Sequence, residues 1–588
     1  MRSIRRRRVT VVTVSVAVIT RDRADLLART LPTVLEQRVP EARYEVIVVD
    51  DGSSDGTAEL LAQYTAGGEL RIVRQAPRGI GAARNAGLAA ARGGIVVFLD
   101  DDLLCEPGLV RAHALAHART PEPLIVVGRL GVAPPSSGNL VSGWYEAAAA
   151  VAHARRSQGV TLREAFLAAN CSAPVQLIRS CGGFDEGAFD AREEHELGLR
   201  LVRAGARPAY EPRAVALEII RKPMNKLVDE ARAVGRAEVR LCRSYPEYRR
   251  YSTLARFADP PPWKAATRRL TTSSRLAEAI FLTGPSKLAA KIRAPAIFRQ
   301  AAVALVGARY GVALRRGAVS VTGSWAESER EFGHRLPVLA YHRVGPPVDG
   351  ANPELTVTPR RFRRHLTLLR RLRYTPIAPG DWLAWCGSGE PLPRRPVLLT
   401  FDDAYADLAQ YAFPALSDNG YRATLFTPSA YLGKENTWDE ALQAGSHPVA
   451  HRLLDSADLI AWNRRGIDVG AHTRTHARLT ALAPEEMIAE MRRGKRDLER
   501  LLGARVTTFA YPFGAIDERV RDVAAATFDA AFTIEEGLNT LATDPLLLRR
   551  SVVQPTDNAL DLLFRLWLGW SPVHRFRLRL ARRRMRWR

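Results

Sequence analysis

Three acidic clusters follow strand-like, mostly apolar runs. Asp50-Asp51 follows Tyr44–Val49, Asp100-Asp101-Asp102 follows Ile95–Leu99, and Asp402-Asp403 ends the run that begins at Val397. Carboxylates one residue apart at a strand end can share a divalent ion, and that ion can bridge a diphosphate. Mg2+ or Mn2+ prefers oxygen ligands and leaves positions for phosphate oxygens. An acidic turn or a helix start would use the same residues without an ion. Histidines four apart occur three times, as His113/His117, His447/His451 and His472/His476, so spacing alone decides nothing. His113 and His117 lie in an Ala-rich stretch and read as a surface or helix-packing pair. His447 and His451 follow a Gly/Ser loop and read as structural or substrate-adjacent. His472 and His476 differ because they follow the strand-like Ile467–Ala471. One carboxylate with two neutral imidazoles makes an open zinc set with room for water and substrate. A second carboxylate beside it can take that water's proton.

These side chains need elements to hold them. Val9–Thr20 is a β-branched run, and Arg23–Gln37 carries Leu26, Leu27, Leu31, Val34 and Leu35 at helical spacing. Strand-like and helix-like segments then alternate to about residue 220. The rhythm predicts an α/β unit with a mostly parallel sheet, helices on both faces and ligands beyond the carboxyl ends of the strands. From Pro223 to Arg330 the pattern becomes helical, basic and proline-punctuated at Pro260-Pro261-Pro262, which predicts a connector. A second alternating unit runs from Leu336 to about Val553, with strands at Val397–Phe401, Ala423–Thr427, Ile467–Ala471 and Thr508–Tyr511.

The 588 residues allow two to four domains, and 46% hydrophobic with 25% charged residues excludes a disordered or fibrous chain. The net charge of +24 is concentrated. Arg221–Ser320 carries 21 Lys+Arg against 6 Asp+Glu, and Arg575–Arg588 holds 8 Arg and no acid. In Leu560–Arg588 these arginines stand beside Leu563, Phe564, Leu566, Trp567, Leu568 and Trp570, a mixture suited to the headgroup region of an anionic membrane. No nucleic-acid-binding signature accompanies the charge, so nucleic acid is not expected as a partner. Five scattered cysteines, no membrane-spanning run and no signal cleavage site together predict a cytoplasmic protein, peripheral on the inner face of the cell membrane.

An ordered set of motifs in the first 225 residues resembles the family 2 glycosyltransferases of the GT-A (Rossmann-like) fold. It comprises Val18-Ile19-Thr20-Arg21-Asp22, Val48-Val49-Asp50-Asp51-Gly52-Ser53, Gly79–Gly87, Phe98-Leu99-Asp100-Asp101-Asp102, Gly182-Gly183-Phe184-Asp185-Glu186 and Glu193-Glu194-His195-Glu196. The resemblance implies that Asp50 or Asp51 contacts the nucleotide and that Asp100 and Asp102 hold a metal–diphosphate, with Asp102 a ligand of Mg2+ or Mn2+. It further implies Glu194 as the general base and an inverting displacement of a nucleoside diphosphate. The family's second residue there is usually Asp, and Glu194 has the longer reach. The Gln-x-x-Arg-Trp motif of processive members is absent, which favours single additions at a membrane surface.

In the second half, Thr400-Phe401-Asp402-Asp403, His472-Thr473-Arg474-Thr475-His476 and Phe509-Ala510-Tyr511-Pro512-Phe513-Gly514 resemble the NodB-homology polysaccharide deacetylases of carbohydrate esterase family 4, whose fold is a distorted (β/α) barrel. The Arg often found at the start of the third motif is missing. By that resemblance Asp402 is the base, and Asp403, His472 and His476 hold Zn2+ or another divalent transition metal. No late histidine is available as the acid. Val338-Leu339-Ala340-Tyr341-His342-Arg343-Val344 resembles the start of the permuted poly-N-acetylglucosamine deacetylases, which makes His342 the general acid.

The expected organisation is a transferase domain over 1–225, a basic helical connector over 226–334, a deacetylase domain over 335–558 and an Arg/Trp-rich amphipathic tail over 559–588. The expected protein is bifunctional. It takes a nucleotide-sugar donor, glycosylates a glycan or lipid-linked glycan, and removes an N-acetyl group from an N-acetylhexosamine. The alternative keeps one catalytic domain and makes the other a glycan-binding module.

Overall fold

Alternate residues of the first strands feed two different cores. Val14, Val16, Val18, Val46, Val48, Val97 and Leu99 pack on one face of the sheet, and Ala17, Ile47, Val49, Val96 and Phe98 on the other. Burial on both faces is why these strands read as continuous apolar runs rather than as alternating ones. The protein is described here by a computed structural model covering residues 12–577, apart from 41, 66–69, 135–139, 188, 190, 257–295, 349–354 and 439–448. The Arg5–Arg8 cluster, Pro260–Pro262, His447 and residues 578–588 lie outside the described residues.

The chain forms two units. In the first, strands β1 (Val12–Thr20), β2 (Ala42–Asp50), β3 (Arg71–Arg74), β4 (Ile95–Asp100), β5 (Leu103–Cys105), β6 (Leu124–Val132), β7 (Asn170–Pro174) and β8 (Arg207–Glu218) make one mixed sheet in the order β3-β2-β1-β4-β7-β6-β8-β5. Its helices include α1 (Ala24–Leu35), α2 (Thr57–Thr65), α3 (Ile80–Ala90), α4 (Leu109–Ala118), α5 (Leu140–Arg156), α6 (Val175–Ser180) and α7 (Glu193–Arg203). Strands β3, β2, β1 and β4 are parallel. Thr20 pairs with Asp50 and Ile19 with Asp100, so both acidic clusters reach the same sheet edge.

Two helices of the expected connector, α8 (Met224–Ser244) and α9 (Ala296–Thr322), do not lead away from this unit. They pack on each other and α9 packs on α5. Two glycines permit the first contact, since a Cβ on Gly235 would lie 1.9 Å from the Leu314 carbonyl oxygen and one on Gly317 2.0 Å from that of Arg232.

In the second unit, α10 (Trp325–Phe332) precedes β9 (Val338–Tyr341), β10 (Arg343–Val344), β11 (Thr356–Val357), α11 (Pro359–Arg371), β12 (Thr375–Pro376), α12 (Pro379–Ser388) and β13 (Pro396–Asp402). There follow α13 (Asp407–Asp418), β14 (Ala423–Thr427), α14 (Ser456–Arg464), β15 (Ile467–Ala471), α15 (Pro484–Leu502), β16 (Thr508–Ala510), α16 (Glu518–Ala525), β17 (Ala530–Phe532), β18 (Ser551–Val552) and α17 (Ala559–Leu568). The parallel order is β17-β16-β15-β14-β13-β9-β18, with β12 beside β13. Leu548 bridges to Phe532 of β17 just before β18 joins β9, so one short stretch curls the two sheet edges toward each other as a distorted barrel.

The expected tail is corrected in part. Asn558 caps α17 by accepting hydrogen bonds from the Leu560 and Asp561 N–H groups, and Leu562 and Leu566 are buried in the core of this unit. Arg565 is also buried, paired with Asp557 at 2.7 Å. Residues 559–568 are therefore an integral helix. Among the described residues, no helix is long and apolar enough to cross a membrane.

Candidate active sites

In the second unit, β13 delivers Asp402 and Asp403, β9 delivers His342, and the loop after β15 delivers His472 and His476. All five line one cavity of about 260 Å³ with Tyr405, Trp438, Tyr511, Phe513 and Arg550. His476 Nε2 lies 3.2 Å and His472 Nε2 3.5 Å from Asp403 Oδ1, and the ligand atoms of the three residues fall within 4.8 Å of one another. Asp403 Oδ1 is buried without a hydrogen bond, an arrangement that a cation would satisfy. His472 Nδ1 donates to the Ala510 carbonyl at 2.8 Å, which turns Nε2 toward the centre. Burial pushes the His476 imidazole below its ordinary value, which favours the neutral, metal-binding form. The donor set fits a divalent transition metal.

The backbone is bent to achieve this. Asp403, Ala404, Thr473 and His476 all have positive φ, at 72°, 60°, 61° and 60°. Non-glycine residues held there cost of order 1–3 kcal/mol each and persist only under external support. Support for the histidine loop comes from α15, where Glu490 Oε2 accepts from the Arg474 and Thr475 N–H groups at 3.0 and 2.8 Å. Gly494, one turn on, lets α15 approach; a Cβ there would lie 2.7 Å from the Thr473 carbonyl carbon.

Asp402 is held differently. Arg550, fully buried, donates from Nη1 to Asp402 Oδ1 at 2.7 Å and from Nε to the Thr533 carbonyl at 2.9 Å. Burial raises the Asp402 carboxyl, but Arg550, then His472 and His342, outweigh it and hold it below the usual carboxylate range. Arg550 was missed from sequence. Its signal was an arginine directly before the Ser551–Val552 strand, in a stretch without a histidine.

In the first unit, the carboxyl ends of β2, β1 and β4 bring Asp50, Asp51, Asp100 and Asp102 to one edge. Asp51 accepts from Gln75 Nε2 and from the Arg78 and Gly79 N–H groups at 2.7–2.9 Å, pinning the loop before α3. Asp50 accepts from the Ser53 N–H at 2.9 Å. Arg23 spans Asp101 and Asp102 at 2.7 and 2.6 Å. Thr20 also donates to Asp101, yet burial pushes that carboxyl up to about 7. Asp100 remains part-exposed, 3.4 Å from Arg84.

Arg84, buried on α3, ties this edge to α7. It bonds Glu193 and lies 3.9 Å from Glu194. His195 Nδ1 lies 2.9 Å from Glu194 Oε1, and Arg192 donates to His195 Nε2 at 3.1 Å. Burial and the neighbouring Glu194 push Glu193 up to about 7. Burial opposes the Glu194 anion as well, but His195, Arg84 and Arg192 outweigh it and keep it well below the usual range. Glu194 is thus the ionised member and the more exposed of the two, with 18% against 6% of the side chain accessible. Of the other histidines four apart, His113, His117 and His451 are held by side-chain hydrogen bonds, and His447 lies outside the described residues. His113 and His117 share Ser172 Oγ at 2.8 and 2.9 Å, and His451 accepts from Arg343 at 2.8 Å.

The profile of the family described as "Glycosyl transferase family 2" matches residues 15–158, and that of "Polysaccharide deacetylase" matches residues 389–528. The chain carries one domain of each family. The deacetylase domain is 25% identical over 235 residues to the proposed polysaccharide deacetylase YxkH of Bacillus subtilis, covering 40% of this chain and 76% of that protein. The transferase domain is 32% identical over 213 residues to validoxylamine A glucosyltransferase of Streptomyces hygroscopicus subsp. jinggangensis, covering 32% of this chain and 50% of that protein. The chain thus spans about three quarters of the first relative and half of the second. Among solved structures, the deacetylase PplD of Streptococcus pyogenes, determined with acetate, aligns at 24% identity and TM-score 0.34 over 39% of this chain and 97% of its own.

Proposed function

We propose that the chain is a bifunctional carbohydrate enzyme that transfers a sugar from a nucleotide-sugar donor and removes an N-acetyl group from an N-acetylhexosamine of a glycan or lipid-linked glycan. The observation that carries the deacetylase half is the convergence of Asp403, His472 and His476 beside an arginine-held Asp402 and across one cavity from His342. Zn2+ or another divalent transition metal on the three ligands supplies Lewis acidity to the amide carbonyl and the attacking water. Asp402 takes a proton from that water as its oxygen bonds the carbonyl carbon. His342 protonates the nitrogen as the C–N bond breaks, releasing acetate and a free amine. In the transferase half, Glu194 takes the proton of an acceptor hydroxyl as its oxygen displaces the nucleoside diphosphate, whose charge Mg2+ or Mn2+ at Asp100 and Asp102 would balance.

A second reading, in which only the deacetylase is catalytic, is favoured by the Arg23 pairing to Asp102, which must open before Asp102 can bind a cation. We further place the protein on an anionic membrane surface at the cytoplasmic side. Leu560, Trp567 and Phe576 are 49%, 46% and 62% exposed next to an arginine-rich terminus, and Arg575 stacks on Trp570.

Acetate release from N-acetylglucosamine oligomers by the zinc-restored protein is expected to fall at least 100-fold in Asp403→Asn, and equal release by the two proteins refutes the metal assignment. Asp102→Asn should abolish donor-dependent transfer and spare acetate release, while Asp402→Asn should do the reverse. Donor turnover that survives in Asp102→Asn removes that residue from the transferase site.

A further inference from the structure

The first unit contains a second cleft, of about 490 Å³, that none of the machinery above uses; this is the size range of small-molecule sites. One wall is the outer face of α5, where Trp144, Ala148 and Val151 line the opening, and Val151 is 65% exposed despite being apolar. The rest of the lining is cationic and begins on the last turn of the same helix. Arg155 and Arg156 share a single carboxylate, Glu164, at 2.6 and 3.0 Å. Arg163 faces the same space and forms no ion pair with a carboxylate among the described residues. At the inner end stand Arg192 and His195, the latter bonded to Glu194. Arg192 is already paired with the buried Glu238 at 3.7 Å, so the lining holds three further guanidinium groups, Arg155, Arg156 and Arg163, against the one carboxylate of Glu164, next to an apolar strip and one side chain away from the proposed base.

An uncharged glycan would leave that surplus charge unbalanced and the apolar strip uncovered. A nucleoside diphosphate belongs at the sheet edge near Asp100, beyond Glu194. A molecule with a phosphate and an apolar chain satisfies the apolar strip and the cationic end at once. Guanidinium groups bind phosphate oxygens through paired hydrogen bonds, and the α5 strip gains by leaving water.

We propose that this cleft holds the acceptor of the transferase reaction and that the acceptor is a lipid-linked phosphate, with its chain along α5 and its phosphate among Arg155, Arg156 and Arg163. The sugar or hydroxyl to be glycosylated then points past His195 toward Glu194. His195 and Arg192 border that path. This assignment rests on the transferase reading above, and the test separates the two.

The experiment uses the full chain in mild detergent with a fluorescently tagged farnesyl phosphate as probe. Saturable binding is expected, with farnesol and inorganic phosphate each competing at least ten-fold more weakly than untagged farnesyl phosphate. Val151→Glu, at an exposed position that tolerates the change, and Arg163→Glu should each weaken binding at least ten-fold. Both variants should keep the parent's Mn2+-dependent binding of nucleoside diphosphate. Unchanged probe binding in both variants overturns the proposal. So does equal competition by farnesol, by anionic phospholipid vesicles or by an acidic peptide. A parent that binds the probe but no nucleoside diphosphate refutes the transferase reading, and with it the acceptor role of the cleft.

Discussion

Asp402 and Arg550 show how much one residue can leave unsaid in a sequence. The carboxylate sits in a recognisable Phe-Asp-Asp run, but its partner lies 148 residues away at the start of a two-residue strand. Both are buried, and removing one member of such a pair strands the other's charge at a cost of about 3–5 kcal/mol. Arg550→Met is therefore expected to lower the melting temperature of the deacetylase unit by roughly 10 °C, given about 2–4 °C per kcal/mol for a unit of this size. The double variant Arg550→Met/Asp402→Asn should recover at least half of that loss. Thermal unfolding of the three proteins checks it; a double variant no more stable than Arg550→Met would mean that the arginine packs rather than pairs.

At the scale of elements, the His113/His117 spacing that could have held a metal instead fastens α4 to β7. His113 is enclosed between Ser172 and Asn170, and Asn170 donates onward to the Arg129 and Ala214 carbonyls. Burial pushes His113 down to about 4 and His117 down to about 3. An unfolded imidazole titrates near 6.5, so below that pH the unfolded chain takes up protons that the folded chain refuses. Stability is then lost as pH falls from about 6.5 toward 4, by up to about 1.4 kcal/mol per pH unit for each imidazole. The melting temperature of the transferase unit should fall less steeply over this range in His113→Gln than in the parent. An identical slope would show that other groups carry the acid sensitivity.

The whole molecule divides differently from its charge pattern. The basic stretch after residue 223 reads as a connector, yet α8 and α9 pack within the transferase unit, and α17 belongs to the deacetylase core. Two truncations follow from this. A chain ending at Arg577 loses six of the eight terminal arginines. It should keep the parent's melting profile and float less readily with anionic liposomes. A chain ending at Asn558 also loses Leu562 and Leu566, each worth about 2–5 kcal/mol in a core, and should melt at least 10 °C lower or fail to fold. Equal flotation by the Arg577 form would end the membrane reading, and equal melting by the Asn558 form would contradict the core role of α17.

What the sequence by itself determined was whatever is contiguous. Asp402-Asp403, His472 to His476 and Asp100 to Asp102 are each set by one strand end, and the alternation of strands and helices already implies that parallel strands present such ends along one edge. Tertiary structure alone decided which distant groups answer them. Arg550 reaches Asp402, Arg84 joins Asp100 to Glu193, Arg23 occupies Asp101 and Asp102, and Glu490 braces the histidine loop. None of these pairs has a characteristic spacing, because the loops between them have no fixed length. The case of α17 has the same cause. A short apolar helix with arginines is written alike whether it lies on lipid or on protein, and only the presence of a matching apolar surface in the fold settles which.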